Sequence, residues 1–334
     1  MQIHQDERQP IDVRGRRGAV VALATLAAGG ATRAWAQDTY PTKPIRMSVG
    51  FATGGGTDVT ARMLAQRLGA RLGQSIIVEN RPGASGSIAG AEVVRAEPDG
   101  YRLLMIASGT LFHSALGGKV SYNIEQDLTP ISMATVGPLV LLVGPTVTAG
   151  TVQELIAHIR ANPGKLTFGT DGIGATAHLA AEMFNMMAET KMVHVPYKGS
   201  GEATVAVASG QVDLGFPSLA SAAPLIQTGK ARALAISTIS RSSLLDVPTL
   251  DEAGLKGYDL PAWFAVVGPP RMPRPVVDKI NAALVAVLEQ PDLRDALGKL
   301  GLEPQATTPE RLAAFFRAQM VAVGKVSQAA NIRL

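Results

Sequence analysis

Ile45-Arg46-Met47-Ser48-Val49-Gly50-Phe51-Ala52-Thr53-Gly54-Gly55-Gly56-Thr57-Asp58 is the stretch on which the reading of this chain turns. An apolar strand runs into three consecutive glycines, and a helical pattern with Leu64, Leu68 and Leu72 on one stripe follows. A second unit of the same kind lies downstream: Leu166-Thr167-Phe168-Gly169-Thr170-Asp171-Gly172-Ile173-Gly174-Ala175-Thr176-Ala177-His178. A strand that turns through glycines into a helix aims unsatisfied backbone N–H groups and a positive dipole end at one point. That is an anion site needing no charged side chain. Two such loops, about one small domain apart, suggest a negatively charged ligand gripped from both sides.

Outward from these loops, strands and helices alternate, which implies an α/β protein with mostly parallel sheets. Strands are expected at residues 45–51, 76–79, 101–107, 139–143, 166–169, 193–196, 212–216, 231–237 and 264–269. Helices are expected at 58–72, 88–95, 152–160, 175–187, 202–209 and, after Pro275, at 276–288, 291–300 and 309–324. Leu141-Leu142-Val143-Gly144-Pro145 and Val266-Val267-Gly268-Pro269 share an apolar strand ending in Gly-Pro, and mark where the chain leaves one domain and returns. The first domain is then discontinuous, 37–142 plus 267–334, and the second is 143–266. Each carries one glycine loop, and ligands in such sheets bind beyond the carboxyl ends of strands.

Composition narrows the function. Of 334 residues 46% are apolar and only 4% aromatic, which disfavours sugar-stacking or base-stacking surfaces. The formal charge is +4, and five arginines against three acids in residues 1–36 leave about +2 for the rest, so nucleic acid is not an expected partner. Cysteine is absent, which removes disulfides, thiolate catalysis and Cys-based metal sites. Arg14, Arg16 and Arg17, the apolar run 18–31 and Ala34-Trp35-Ala36 form a secretory leader cleaved near Ala36-Gln37, which places the mature protein in the periplasm. Arg16-Arg17 leaves the export route, general or twin-arginine, open.

The chemical motifs point away from catalysis. Thr53–Asp58 lacks the Lys-Ser/Thr of a nucleoside-triphosphate loop, and no Gly-x-Ser-x-Gly elbow occurs. Gly172-Ile173-Gly174-Ala175-Thr176-Ala177 fits a dinucleotide pattern, yet Val193-His194-Val195-Pro196 ends without the acidic ribose partner. His178 and Glu182 share a helix face with no second histidine, so no metal is expected. Asp171 is awkward inside an anion loop: it faces solvent, or it pairs with an amine on the ligand. Magnitudes favour a two-sided grip. A helix N-terminus contributes about 0.3–1 kcal/mol, up to ~2 when partly buried, and a hydrogen bond to a charged group about 1.5–3. Micromolar affinity needs ~8 kcal/mol net, which two closing loops reach and one does not.

The first loop with Ala61-Arg62 resembles the Bug-type substrate-binding proteins of tripartite tricarboxylate transporters. Val78-Glu79-Asn80-Arg81-Pro82-Gly83, Pro98-Asp99-Gly100-Tyr101, Val195-Pro196-Tyr197-Lys198-Gly199, Gly210-Gln211-Val212-Asp213 and residues 247–254 (VPTLDEAG) are similar to further blocks of that family, in order along the chain. The resemblance implies a two-domain type II periplasmic-binding-protein (Venus flytrap) fold that holds a small carboxylate and hands it to membrane permease subunits. It implies no cofactor and no enzyme activity. Carried over, the first-loop contacts are Phe51, Thr53, Gly55, Gly56, Thr57 and Asp58, with Asp58 more a helix cap than a ligand group. Those of the second loop are Thr170, Gly172, Gly174, Ala175 and Thr176. Ser108, His178, Phe216, Ser218 and Trp263 complete the candidate set, with Phe264 an alternative to Trp263. Three positions depart from the family pattern: Ala52 stands for a common proline, Ala175-Thr176 for a hydroxyl pair, and Pro217-Ser218 where Asp or Asn is frequent. A monomer is the expected state. A cofactor-dependent enzyme built on the Gly172 loop, and a binding protein that serves a sensor, stay open as alternatives.

Overall fold

β1 (Ile45–Val49) is buried at four of its five positions, and glycines carry it into α1 (Gly56–Leu72). The computed structural model describes residues 40–330, so the leader expected at 1–36 lies outside the described residues. Leu64 and Leu68 turn α1 onto the sheet, and Gly73 ends the helix in the left-handed region (φ 74°) with its N–H on the Gly69 carbonyl. β2 (Ile76–Asn80), α2 (Ser87–Val94) and β3 (Arg102–Ala107) follow, with β2 and β3 flanking β1 in parallel. Next come α3 (Ser108–Ala115), the short α4 (Ile124–Asp127) capped by the Asn123 side chain, and β4 (Thr129–Gly137).

At Pro138-Leu139 the chain changes sheets. β5 (Val140–Val143), α5 (Val152–Ala161), β6 (Thr167–Thr170), α6 (Thr176–Ala188), β7 (Val193–Pro196), α7 (Ser200–Ala208), β8 (Leu214–Gly215), α8 (Leu219–Gln227) and β9 (Arg232–Ile236) build the second layer. β10 (Ala262–Gly268) returns to the first, followed by α9 (Arg274–Leu288), α10 (Pro291–Gly298), β11 (Glu303–Pro304) and α11 (Pro309–Ala330). The six-stranded sheet is ordered β11-β4-β10-β3-β1-β2 and the five-stranded sheet β7-β6-β8-β5-β9.

Both sheets are mixed rather than mostly parallel. The strands that follow the two changes of sheet, β5 and β10, run antiparallel to their neighbours on both sides, because each inserts against the direction of the βαβ strands around it. The sequence-based boundaries at 142/143 and 266/267 fall inside these two strands, and each strand lies whole within one sheet. The changes of sheet come at Pro138-Leu139 and between Ile236 and Ala262.

Phe112, Phe168, Phe184, Phe216, Trp263 and Phe316 belong to one core cluster drawn from both layers. Trp263, 1% exposed, stacks on Phe316 (5.4 Å, 29°) and meets Phe112 and Phe315 edge-on. Helix α11, from the end of the chain, packs on β4, α3 and α6, elements of both layers. Among the described residues no helix is long and apolar enough to cross a membrane.

Candidate ligand-binding cleft

The two glycine loops open helices that meet between the sheets. In the first, Gly54 takes φ 81° and Gly55 caps α1 without any side-chain bond. Stiffness comes from Asp58, whose carboxylate reaches back to accept the Gly54 N–H (3.1 Å), the Arg62 guanidinium (3.0 Å) and the Asn80 amide (2.9 Å). Burial by itself would raise the Asp58 pKa. The hydrogen bonds from Arg62, Asn80 and Gly54, with the charge of Arg62, outweigh it and hold the carboxyl below its usual range. Asn80 also donates to the Phe51 carbonyl (3.0 Å), so Asp58 and Asn80 together fasten the loop from behind. Gly56 has no room for a side chain: a Cβ there would fall 2.6 Å from Ser218 Oγ and 2.9 Å from Phe264 Cζ.

The second loop is fastened by histidines. Gly174 (φ 76°) donates its N–H to His178 Nδ1 at 2.9 Å, which makes that nitrogen an acceptor. The His178 ring stacks on His194 (4.1 Å), and both lie against Phe168. His194 Nε2 meets the buried Thr170 hydroxyl at 2.6 Å. Burial, then the proximity of His194, pushes His178 down to about 4; burial does the same to His194. Both rings are therefore neutral at physiological pH, and they fasten the loop.

Between the loops is a small, partly open cavity of about 30 Å³, room for one or two waters. Gly56 and Thr57 come from α1, Ala107 and Ser108 from the start of α3, and Asp171, Thr176 and Ala177 from the second loop and α6. Ser200 opens α7, Ser218 precedes α8, and Leu139, Phe216, Ala262 and Phe264 supply the apolar wall. No lysine or arginine lines this space. The loops touch across it. Ser108 and Thr176 hydroxyls are 2.7 Å apart, the Gly56 N–H donates to Ser221 Oγ (3.1 Å), and Ser85 Oγ donates to the Ile173 carbonyl (2.6 Å). Gly109 permits the approach: a Cβ there would lie 2.8 Å from the Thr176 nitrogen. This is a closed cleft, flanked by wider pockets of about 510 Å³ beside Ser85, Asp171 and Gly172, and about 670 Å³ beside Thr53, Gly54 and Tyr197. Among the described residues no group of three or more His, Cys, Asp or Glu could hold a metal.

Of the residues chosen from sequence, Gly56, Thr57, Ser108, Thr176, Phe216 and Ser218 line the cavity together. Thr53 and Gly172 line the outer pockets instead. Gly55, Asp58, Thr170, Gly174, Ala175 and His178 shape the loops from behind, Phe51 packs against Gly86, and Trp263 is core, leaving Phe264 at the wall. Ala107, Leu139, Ala177, Ser200 and Ala262 also line it and lie outside the set chosen from sequence. The signal for Ser200 was present in Lys198-Gly199-Ser200-Gly201, a third strand–glycine–helix turn.

Two mixed α/β sheets whose helix N-termini meet over a small polar cavity are the architecture of periplasmic solute-binding proteins. Solved structures agree: the periplasmic binding protein BugD superposes with TM-score 0.85 at 32% identity, over 88% of this chain and 99% of its own. The chain belongs to the tripartite tricarboxylate transporter receptor family, whose model, "Tripartite tricarboxylate transporter family receptor", matches residues 60–332. BugT of Bordetella pertussis is 34% identical over 300 residues, 89% of this chain and 92% of its own. An R. palustris protein solved with adipate matches at TM-score 0.86 and 32% identity, over 88% of this chain and 99% of its own. MatC from Rhodopseudomonas palustris with bound malate matches at 0.82 and 31%, over 86% and 99%. These relatives are solute-binding proteins, and the enzyme alternative built on the Gly172 loop falls away.

Proposed function

We propose that this protein captures a small carboxylate between its two sheets and delivers it to the membrane subunits of a tripartite tricarboxylate-type permease. The observation that carries the reading is the cavity itself: N–H groups at the start of α1 and the hydroxyls of Thr57, Ser108, Thr176 and Ser218 converge where no lysine or arginine competes. The neighbours solved with adipate and malate support the same class of ligand. In this reading Gly56 and Thr57 hold the carboxylate, Phe216 and Phe264 meet its carbon chain, and loops 51–58 and 170–178 close over it. The two layers act as two domains hinged at residues 138–139 and 237–261. The protein is exported, loses its leader near Ala36-Gln37, and works in the periplasm as a monomer.

A cavity of about 30 Å³ cannot hold adipate or malate, so the cleft opens to admit a ligand and recloses around it. A thermal-shift panel of adipate, malate, succinate, citrate and aromatic carboxylates tests this. At ligand a hundredfold above Kd the stabilisation is about 2.7 kcal/mol, at ~2–4 °C per kcal/mol for a chain of this size. A carboxylate that shifts the wild type but not a Gly56 variant supports the assignment. Silence from the whole panel overturns it.

A further inference from the structure

Asp171 lines both the small cavity between the loops and the wider pocket outside it, and its charge runs against that of a carboxylate ligand. The backbone N–H groups of Asp171 itself and of Ala177, in the first turn of α6, favour the ionised form of its carboxyl. The N-terminus of α6 therefore already has an anion beside it, one that the protein itself supplies. One carboxylate oxygen, Oδ1, is sealed from solvent and meets no donor. Two lysines and a histidine stand nearby without reaching it. Lys119 and Lys198 line the outer pocket, and His113 spends its Nδ1 on the Ile173 carbonyl (2.9 Å). Burial raises the Asp171 carboxyl to about 6, against the pull of its own N–H and that of Ala177, so it is mostly ionised at neutral pH. An ionised, donorless oxygen on a residue that lines the ligand space is costly unless the ligand completes it.

We propose that the ligand is a carboxylate that also carries an ammonium group, and that Asp171 is the residue that selects it. The ligand carboxylate lies at the N-terminus of α1, by Gly56 and Thr57, and its ammonium donates to Asp171 Oδ1. The proposal rests on the carboxylate reading of the cleft and narrows it. A hydroxyl on the ligand would fill the hydrogen bond but leave two buried negative charges side by side. An ammonium placed between them answers both. A plain dicarboxylate would need Asp171 protonated, and an asparagine would then serve it as well.

Isothermal titration of the whole protein at pH 7.5 with matched probes decides the matter. The pairs are succinate and L-aspartate, glutarate and L-glutamate, and butyrate and 4-aminobutyrate, with L-malate added to the first pair. Wild type, Asp171→Asn and Asp171→Ser are compared, with circular dichroism as the check on folding. The expected result is an amino member of at least one pair bound tenfold or more tighter than its plain partner, with that preference abolished in both variants. Should one variant misfold, the other and the wild-type pairs still decide. Tighter binding of the plain member in every pair, of malate over aspartate, or an amino preference that survives in the variants overturns the proposal and leaves the carboxylate reading standing. If no probe binds the wild type the proposal falls, and silence from the wider carboxylate panel as well removes the reading beneath it.

Discussion

Replacing His178 with phenylalanine separates the loop-fastening role of this ring from its stacking role. Phenylalanine can still stack on His194 and Phe168, but it offers no acceptor to the Gly174 N–H, now 2.9 Å from Nδ1. Leaving a buried N–H without a partner costs about 1–3 kcal/mol, a fall in Tm of roughly 2–12 °C. The pH dependence gives a sharper signature. In the wild type, burial and then His194 depress His178 from 6.5 to about 4. A depressed histidine stabilises the fold above pH 6.5, and that stabilisation is lost as pH falls toward 4. Linkage gives about 2 kcal/mol lost between pH 7.5 and 5 from this one ring. The phenylalanine variant has no such proton to take up. Its deficit against wild type should therefore shrink by about 2 kcal/mol between those two pH values, read from urea midpoints at constant m. An equal deficit at pH 7.5 and pH 5 would refute both the acceptor role and the neutral ring.

Gly56→Ala places a methyl within 2.6 Å of Ser218 Oγ and 2.9 Å of Phe264 Cζ, inside the cavity. Titration with whichever carboxylate gives the largest thermal shift should show at least a tenfold weaker Kd. Asp58→Ala strands the Gly54 N–H, Arg62 and the Asn80 amide and should cost about 2–3 kcal/mol in urea unfolding. The Asp58 carboxyl sits below its usual range when folded, so its contribution is present above pH 3.8 and lost as pH falls beneath it. Asp171→Asn should stabilise the unliganded protein. With the folded pKa raised from 3.8 to about 6, ionisation of Asp171 costs up to ~3 kcal/mol above pH 6 and nothing below 3.8. Unfolding midpoints of the two proteins should converge in acid and separate on the alkaline side of pH 6.

The strand–glycine–helix units were legible because glycine runs between an apolar strand and a leucine stripe admit few alternatives. The same holds for α5, where Thr151 caps and Asn162-Pro163-Gly164 stops the helix. α3 and α8 were not anticipated. Ser108–Ala115 lacks a polar face to give it a period, and Leu219–Gln227 carries Pro224 within the helix, a residue that argues against helix unless packing overrides it. β4 went unread because Thr129-Pro130 opens it and its alternation is masked by burial on both faces. At the site, backbone donors follow from local sequence, whereas the cavity wall comes from residues far apart in the chain. Leu139 and Ala262 have no local pattern that separates them from core. Asp171 could be flagged from sequence as a misfit, but the isolation of its Oδ1 is a property of the folded loop alone.

The closed cleft already spends its donors. The Gly56 N–H rests on Ser221, and the Ser108 and Thr176 hydroxyls on each other. A ligand entering here trades partners rather than adding to their number: each neutral bond it displaces is replaced by one to a charged oxygen, roughly twice as strong. The count of hydrogen bonds stays level and the gain lies in their quality. Discrimination therefore falls on the charge of the incoming group, since an uncharged mimic of the same shape would make the same exchange for no return. The same arithmetic works in reverse on release, where the protein's own hydroxyls wait to take back each donor as a ligand departs.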